Sequence, residues 1–411
     1  MADDAPTPIL ALTPLNPQFR EDPHALLDPL RAHHPVMRDE AAGCFFLTRH
    51  EDVRGVLTDL TLWRDPLKAE EAAVLSRRIL DDPSGGTGGE ERNPSILLMD
   101  DPDHARIRGP LAQALYRRVA KFKPQVEAIV DGALAALEGR DRFDLMAEFA
   151  LPIPIDVIAA ILGVDHSRLA EFRDWSEGVI QGLNPLRTPE QTEHMLRAGP
   201  ALDAYMNEML AARRARPQDD LVTDMVQLQA AGAQLTDSDL VTNLSALLVG
   251  GNLTTTDLIG NGVRLFLTHP QELAKLIADP SLISAAIEEV LRYEPPVDIT
   301  GRVASRELDV GGCPIHATQS MFLSLRGANR DPSVFEEPHR FDITRKKSPH
   351  VAFGGGAHIC IGAPLARLEA QVALGKLFAR YPTLRLADPD ATPQWRTLPF
   401  FRGLERLDVV V

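Results

Sequence analysis

Only three cysteines occur in the 411 residues, Cys44, Cys313 and Cys360. They are far apart and odd in number, so neither a disulfide framework nor zinc-finger spacing is present, and a reducing cytoplasm is expected. Basic residues are also in deficit: 43 Lys and Arg against 58 Asp and Glu leave a net charge of -15. A nucleic-acid binder needs a basic stripe to displace counterions, so that class is not expected. No stretch approaches the ~20 apolar residues of a membrane helix. The N-terminus, MADDAPTPILALTPLNPQF, has neither a basic segment nor an apolar run, so it does not read as a signal peptide. There is no internal repeat, no G-x-x-x-x-G-K-[ST] phosphate loop and no dinucleotide fingerprint.

What is there is mostly helical. Apolar residues recur at helical spacing over 124–139, 200–213 and 237–268. Thr236-Asp237-Ser238-Asp239 at the start of the last run offers N-cap chemistry. Strand-like pieces are short: Glu307–Val310 and Met321–Leu325 flank the turn signal Gly311-Gly312-Cys313-Pro314. Pro83–Arg92 is a polar, Gly-rich loop inside one unit, because helical patterns continue on both sides of it. The chain is expected to be one domain over 1–411, with 1–14 a flexible segment.

The most informative segment is HVAFGGGAHICIGAPLARLE, residues 350–369. A glycine-rich loop carries Cys360 to a point just before a helix that starts near Pro364 and runs to about Phe378. The positive end of a helix favours the thiolate, the form that binds metal. Glycines let a backbone approach a flat ligand closely. A lone cysteine in such a loop is otherwise structural or a nucleophile, and His358 is an iron ligand or an ordinary loop residue.

The run Phe353-Gly354-Gly355-Gly356-Ala357-His358-Ile359-Cys360-Ile361-Gly362 resembles the haem-binding loop of the cytochrome P450 superfamily. The likeness extends from about residue 15 to the end, with its motifs in order. It implies a mainly α (α+β) fold, a large helical region with small β-sheets, and haem b buried between a central helix and the cysteine loop. Cys360 would be the axial thiolate on iron, which favours O–O cleavage. Phe353, Gly354 and Gly362 would shape the cofactor loop.

Further segments resemble other family motifs. Glu289 and Arg292 match E-x-x-R; alone they read as a solvated pair one helical turn apart. With them Arg340, in Pro338-His339-Arg340-Phe341, would complete a Glu–Arg–Arg scaffold. His104 and Arg108, four apart in DPDHARIRG, match the pair that binds haem propionates, and Arg302 and His350 match two more such contacts. Gly250, Gly251, Asn252, Leu253, Thr254 and Thr255 align with [AG]-G-x-[DE]-T-[TS] of the central helix. Thr254 would be the hydroxyl that handles protons during dioxygen activation, since a hydroxyl both donates and accepts. Glycines inside a helix cost ~1 kcal/mol each and need a reason, either close packing or function. The acidic position is Leu253, which carries no proton. Water, Asn252 or another group such as Asp257 would have to replace the acid, or peroxide would replace dioxygen.

By the same resemblance the substrate pocket draws on Ile96, Leu97, Leu98, Leu247, Leu253, Val297, Ile299, Leu398, Phe400 and Phe401, any one of which could equally be core. Asp298 and Thr300 would add polar contacts. The lining implies a small-to-medium apolar organic substrate. With no fused reductase in the chain, electrons would come from NAD(P)H through a separate reductase and ferredoxin. The ferredoxin would dock on Arg106, Arg117, Arg118 and Lys121. A cytoplasmic monomer acting on dioxygen, with no membrane or nucleic-acid partner, completes the expectation. Its rivals are a peroxide-driven haem-thiolate enzyme, a non-catalytic haem or ligand binder, and a helical scaffold without cofactor.

Overall fold

The chain's computed structural model describes residues 7–78, 94–346 and 348–411. The expected loop Pro83–Arg92 lies outside the described residues. The expected flexible segment is corrected in its second half. Ile9–Leu12 form a helical turn with Ile9 and Leu12 fully buried, and the Ile9 N–H donates to Asp39 at 2.7 Å.

The central helix, Asp237–Thr268, has the predicted bounds. Thr236 caps it by accepting from Asp239 N–H, while the Asp239 carboxylate accepts from Thr236 N–H. Most of its 32 residues have a buried face, because helices surround it: Pro152–Leu162, Leu169–Val179, Pro189–Ala215 and Ala363–Arg380 all pack on it. Two glycines permit that closeness. An added Cβ at Gly260 would collide with Met146, and one at Gly262 would come within 2.8 Å of Leu374.

Four strands make the largest sheet: β1 (Val36–Asp39), β2 (Cys44–Leu47), β3 (Ile299–Val303) and β4 (Ser320–Ser324), in the order β1-β2-β4-β3. The β2–β4 pairing is parallel, Cys44 opposite Ser320, and β3 runs antiparallel to β4, Ile299 opposite Ser324. The expected pairing around Gly311-Gly312 is corrected. Leu308–Val310 pairs with Cys313–Ile315, and Met321–Leu325 contributes to β4 instead. The turn is tighter than the sequence suggested because both glycines take positive φ, 60° and 82°. The main core draws on residues from Ile9 to Val409, and a second cluster gathers Phe45, Leu47, Val53, Ile315 and Leu323. No helix among the described residues is long and apolar enough to cross a membrane.

Candidate active site

Cys360 sits one turn before the helix Ala363–Arg380. Its N–H donates to Phe353 O at 2.9 Å, which closes the loop on itself. Gly354 and Gly356 have φ of 70° and 65°, where a side chain would be strained, and a Cβ at Gly356 would also collide with the Leu57 carbonyl. Burial raises the thiol pKa; the N–H groups of Gly362 and Ala363 and the charges of Arg108 and Arg367 pull it back toward thiolate. Phe353 lies under the Arg367 guanidinium at 4.6 Å.

Beside the loop is a cluster of arginine and histidine side chains. His104 and Arg108 share the helix Asp103–Val119, and Arg108 donates to Ile359 O next to the cysteine. Arg302 comes from β3 and Arg64 from the chain before it, where Arg64 holds Gly301 O at 2.8 Å and Leu97 O at 3.0 Å. His358 stacks on His104 with ring centroids 4.1 Å apart. Burial, then mutual repulsion, pushes Arg64 down to about 9, and burial takes Arg302 down to about 10. Burial and the charges of His104, Arg302, Arg64 and Arg108 push His358 down to about 2. The nearby Asp100 is already taken by Lys68 at 2.8 Å and by Arg64 N–H. The buried Nε2 of His104 has no hydrogen-bond partner. Such a cluster suits an anionic partner, and two carboxylates on the edge of a haem would satisfy it.

One expectation about this cluster is corrected. His350 is not in it: its Nε2 meets Glu288 at 3.1 Å and its Nδ1 accepts from Ala352 N–H. Glu288 also takes Arg367 at 2.6 Å, and the two partners overcome burial to hold it at about 2. The imidazole that reaches the cluster is His358, two residues before the cysteine. The second missed member is Arg64, which no sequence signal near it marks.

Gly250 and Thr254 border a cavity of about 240 Å³ that Arg64 and Arg302 also line. Thr254 Oγ1 donates to Gly250 O at 2.8 Å. Leu97, Leu98, Val297, Ile299, Thr300, Phe400 and Phe401 line the cavity as expected, joined by Ile180, Leu183 and Phe322. Ile96, Leu247 and Leu398 are core instead, and Leu253 packs against that core. Asp298 is likewise withdrawn, buried on Arg326 at 2.6 Å.

Neither polar neighbour of Thr254 replaces the missing acid. Asn252 turns to Ser176, at 3.3 Å, and Asp257 is buried on Arg396 at 3.0 Å. Gly251 faces Ile158, whose Cγ1 an added Cβ would approach to 3.4 Å, so its role is packing rather than chemistry.

The scaffold pair is buried, not solvated. Arg292 is fully buried and grips Glu289 through two 2.7 Å bonds. Arg340 does not complete it. Its side chain points outward to Glu337 at 2.9 Å, and only its carbonyl accepts from Arg292, at 3.0 Å. Arg345 supplies the second guanidinium, 3.3 Å from Glu289. Of the four proposed docking cations, Arg106 and Arg118 are already paired with Asp103 and Asp239, and with Asp219 and Asp224. Arg117 and Lys121 are exposed.

The cysteine loop and the cavity bordered by Gly250 and Thr254 are joined by a cluster whose Arg64 and Arg302 line that cavity and lie beside His358, an arrangement that fits a haem-thiolate site. Comparison with known proteins agrees. The cytochrome P450 family model matches residues 183–396. The chain is 38% identical to cytochrome P450 107B1 of Saccharopolyspora erythraea over 396 residues, covering 95% of each. It is 34% identical to 6-deoxyerythronolide B hydroxylase of the same organism, covering 95% of this chain and 96% of that one. The crystal structure of a myxobacterial cytochrome P450, CYP267B1, in complex with myristic acid superposes with a TM-score of 0.87 at 32% identity, covering 97% and 98% of the two chains. The chain belongs to the cytochrome P450 family, and is a haem-thiolate oxidoreductase of the monooxygenase type.

Proposed function

We propose that the chain acts as one unit over 1–411, a cytoplasmic monomer that hydroxylates or epoxidises a small-to-medium apolar organic molecule. Its electrons come from NAD(P)H through a separate reductase and ferredoxin. The observation that carries the substrate class is the cavity bordered by Thr254, whose wall includes the apolar Leu97, Leu98, Val297, Ile299, Phe400 and Phe401, with Arg64 and Arg302 also lining it. Relatives named for 6-deoxyerythronolide B and vitamin D(3) support an apolar organic substrate.

Haem, when bound through a cysteine thiolate, supplies dioxygen activation and O–O cleavage. The residues of this chain do the rest. Cys360 offers the thiolate; His104, Arg108, Arg302, His358 and Arg64 hold the acidic edge of the cofactor. Thr254 presents a hydroxyl that passes protons on the cavity side, while the apolar wall excludes water and orients the substrate. Because Leu253, Asn252 and Asp257 bring no acid to Thr254, proton delivery falls to water. Turnover is therefore slower and less coupled than with an acid at position 253, and peroxide serves as an alternative oxidant. Leu253→Asp tests this: a rise in coupled turnover is expected, and no change removes position 253 from proton delivery.

The test of the whole reading is the reduced, carbon monoxide-treated spectrum of the purified protein. A Soret band near ~450 nm is expected for an intact thiolate–haem bond. A band near ~420 nm, or no haem absorption, would reject it.

A further inference from the structure

Outside the haem site, one cluster among the described residues brings together ligand atoms of the right kind. The helix His24–His33 carries His24 and Asp28 four residues apart, hence on one face. His339, in the loop that follows the buried Arg292 pair, comes over the same face. His24 Nδ1 lies 3.5 Å from Asp28 Oδ1, and His339 Nε2 lies 2.8 Å from Asp28 Oδ2. The two imidazole rings are 5.3 Å apart between centroids and nearly perpendicular. All three groups border a polar cleft of about 640 Å³, which gives an ion and its water a way in. One ligand atom from each of the three residues lies within 4.8 Å of the other two, whereas a tetrahedral ion with bonds of ~2.0–2.1 Å sets its ligand atoms ~3.3 Å apart, so the side chains would close in on the ion.

Two features speak for an ion rather than a plain hydrogen-bond cluster. His24 is 11% exposed at its side chain, yet neither ring nitrogen has a hydrogen-bond partner. Second, Arg31 donates to Asp28 Oδ1 at 2.7 Å, which fixes the carboxylate while leaving Oδ2 facing His339. Metal-bound carboxylates are commonly held in this way. Arg330 Nη1 now bonds His339 Nδ1 at 3.1 Å. On metal binding the His339 proton moves from Nε2 to Nδ1, and Arg330 gives up that bond.

We propose that His24, Asp28 and His339 form a binding site for one divalent zinc-class cation, separate from the cysteine loop. Two imidazoles and one carboxylate are a borderline donor set that suits zinc. The ion ties the N-terminal helix to the loop at His339, whose carbonyl accepts from the Tyr293 hydroxyl at 3.0 Å.

The test uses haem-loaded protein, treated with a chelator and dialysed against buffered free zinc, with zinc and iron counted by elemental analysis. One zinc per haem iron is expected, and a higher melting temperature with zinc than without. His339→Ala, at a side chain 48% exposed, should weaken binding tenfold or more while keeping the haem spectrum and the zinc-free melting temperature. His34→Ala, an exposed histidine outside the cluster, should bind as the parent does. X-ray absorption at the zinc edge should show nitrogen and oxygen neighbours. Failure to take up zinc, zinc retained by His339→Ala, or a sulfur neighbour would each overturn the site.

Discussion

The imidazoles of His104 and His358 lie 4.1 Å apart between centroids, tilted by 32°, one from the helix Asp103–Val119 and the other from the cysteine loop. Burial and the surrounding cations hold His358 neutral, and burial and Arg108 lower His104. A carboxylate placed beside them would relieve that repulsion and satisfy the open Nε2 of His104. His358→Ala should therefore release haem faster to a scavenging apoprotein, by about tenfold for a lost charge-assisted hydrogen bond of ~1.5 kcal/mol. His350→Ala, which removes only a partner of Glu288, should change the rate less than about twofold. The reverse ranking would return the propionate role to His350.

The Glu289–Arg292 pair makes a second contrast. Removing Arg292 leaves a carboxylate buried with only Arg345 and the Asp342 N–H to face it, and breaking such a pair costs ~3–5 kcal/mol. Arg340→Ala removes a side chain that is 55% exposed and bound to Glu337, so a loss under ~1 kcal/mol is expected. Arg345→Ala should fall between them, at ~1–3 kcal/mol. Urea unfolding of the haem-loaded variants, followed by helical circular dichroism, gives the order. Arg340→Ala as damaging as Arg345→Ala would refute the assignment.

Much of this was legible in the residues, and the exceptions share a cause. The bounds of the central helix follow from the Thr236 cap and the apolar spacing of 237–268, both local signals. Cys360 was readable because its glycines, its proline and its helix lie within a dozen residues of it. Arg64 was not, because it reaches β3 from 237 residues away through a bond to Gly301 O that no local pattern announces. Arg340 and Arg345 are both basic and five residues apart, and only the path of the loop decides which one turns inward. Asn252 and Thr254 are two residues apart on one helix, so they face different ways; a motif match cannot show that Asn252 faces Ser176.

Asp257 supplies a pH-dependent prediction. It is fully buried with Arg396 3.0 Å away, and burial outweighs that pair, raising its pKa from 3.8 to about 6. Folding therefore favours the protonated form. The contribution to stability is full below 3.8 and is lost as pH rises through about 6. Asp257→Asn does not titrate. Between pH 4 and 7.5 the parent should lose up to ~3 kcal/mol relative to this variant, the worth of the gap between the two pKa values. A pH-independent difference would mean that Arg396 keeps the carboxylate charged throughout.

Gly250 and Gly251 cost the central helix about equally in propensity, but they meet different surroundings, so their alanine variants should part. At Gly251 the new methyl meets Ile158 in ordinary van der Waals contact, away from the cavity lining, so ligand binding should be unchanged. At Gly250 it meets nothing within 4 Å and enters the cavity beside Thr254. Gly250→Ala should thus hold or raise stability by up to ~1 kcal/mol. The same methyl occupies space that substrate needs next to the Thr254 hydroxyl, so the substrate-induced spin-state shift should weaken several-fold. Titrating both variants with one apolar ligand separates the roles. If Gly250→Ala bound the ligand as the parent does, its glycine would serve the helix and not the cavity. If Gly251→Ala lost binding instead, the face of the helix that meets substrate would be the one now packed on Ile158.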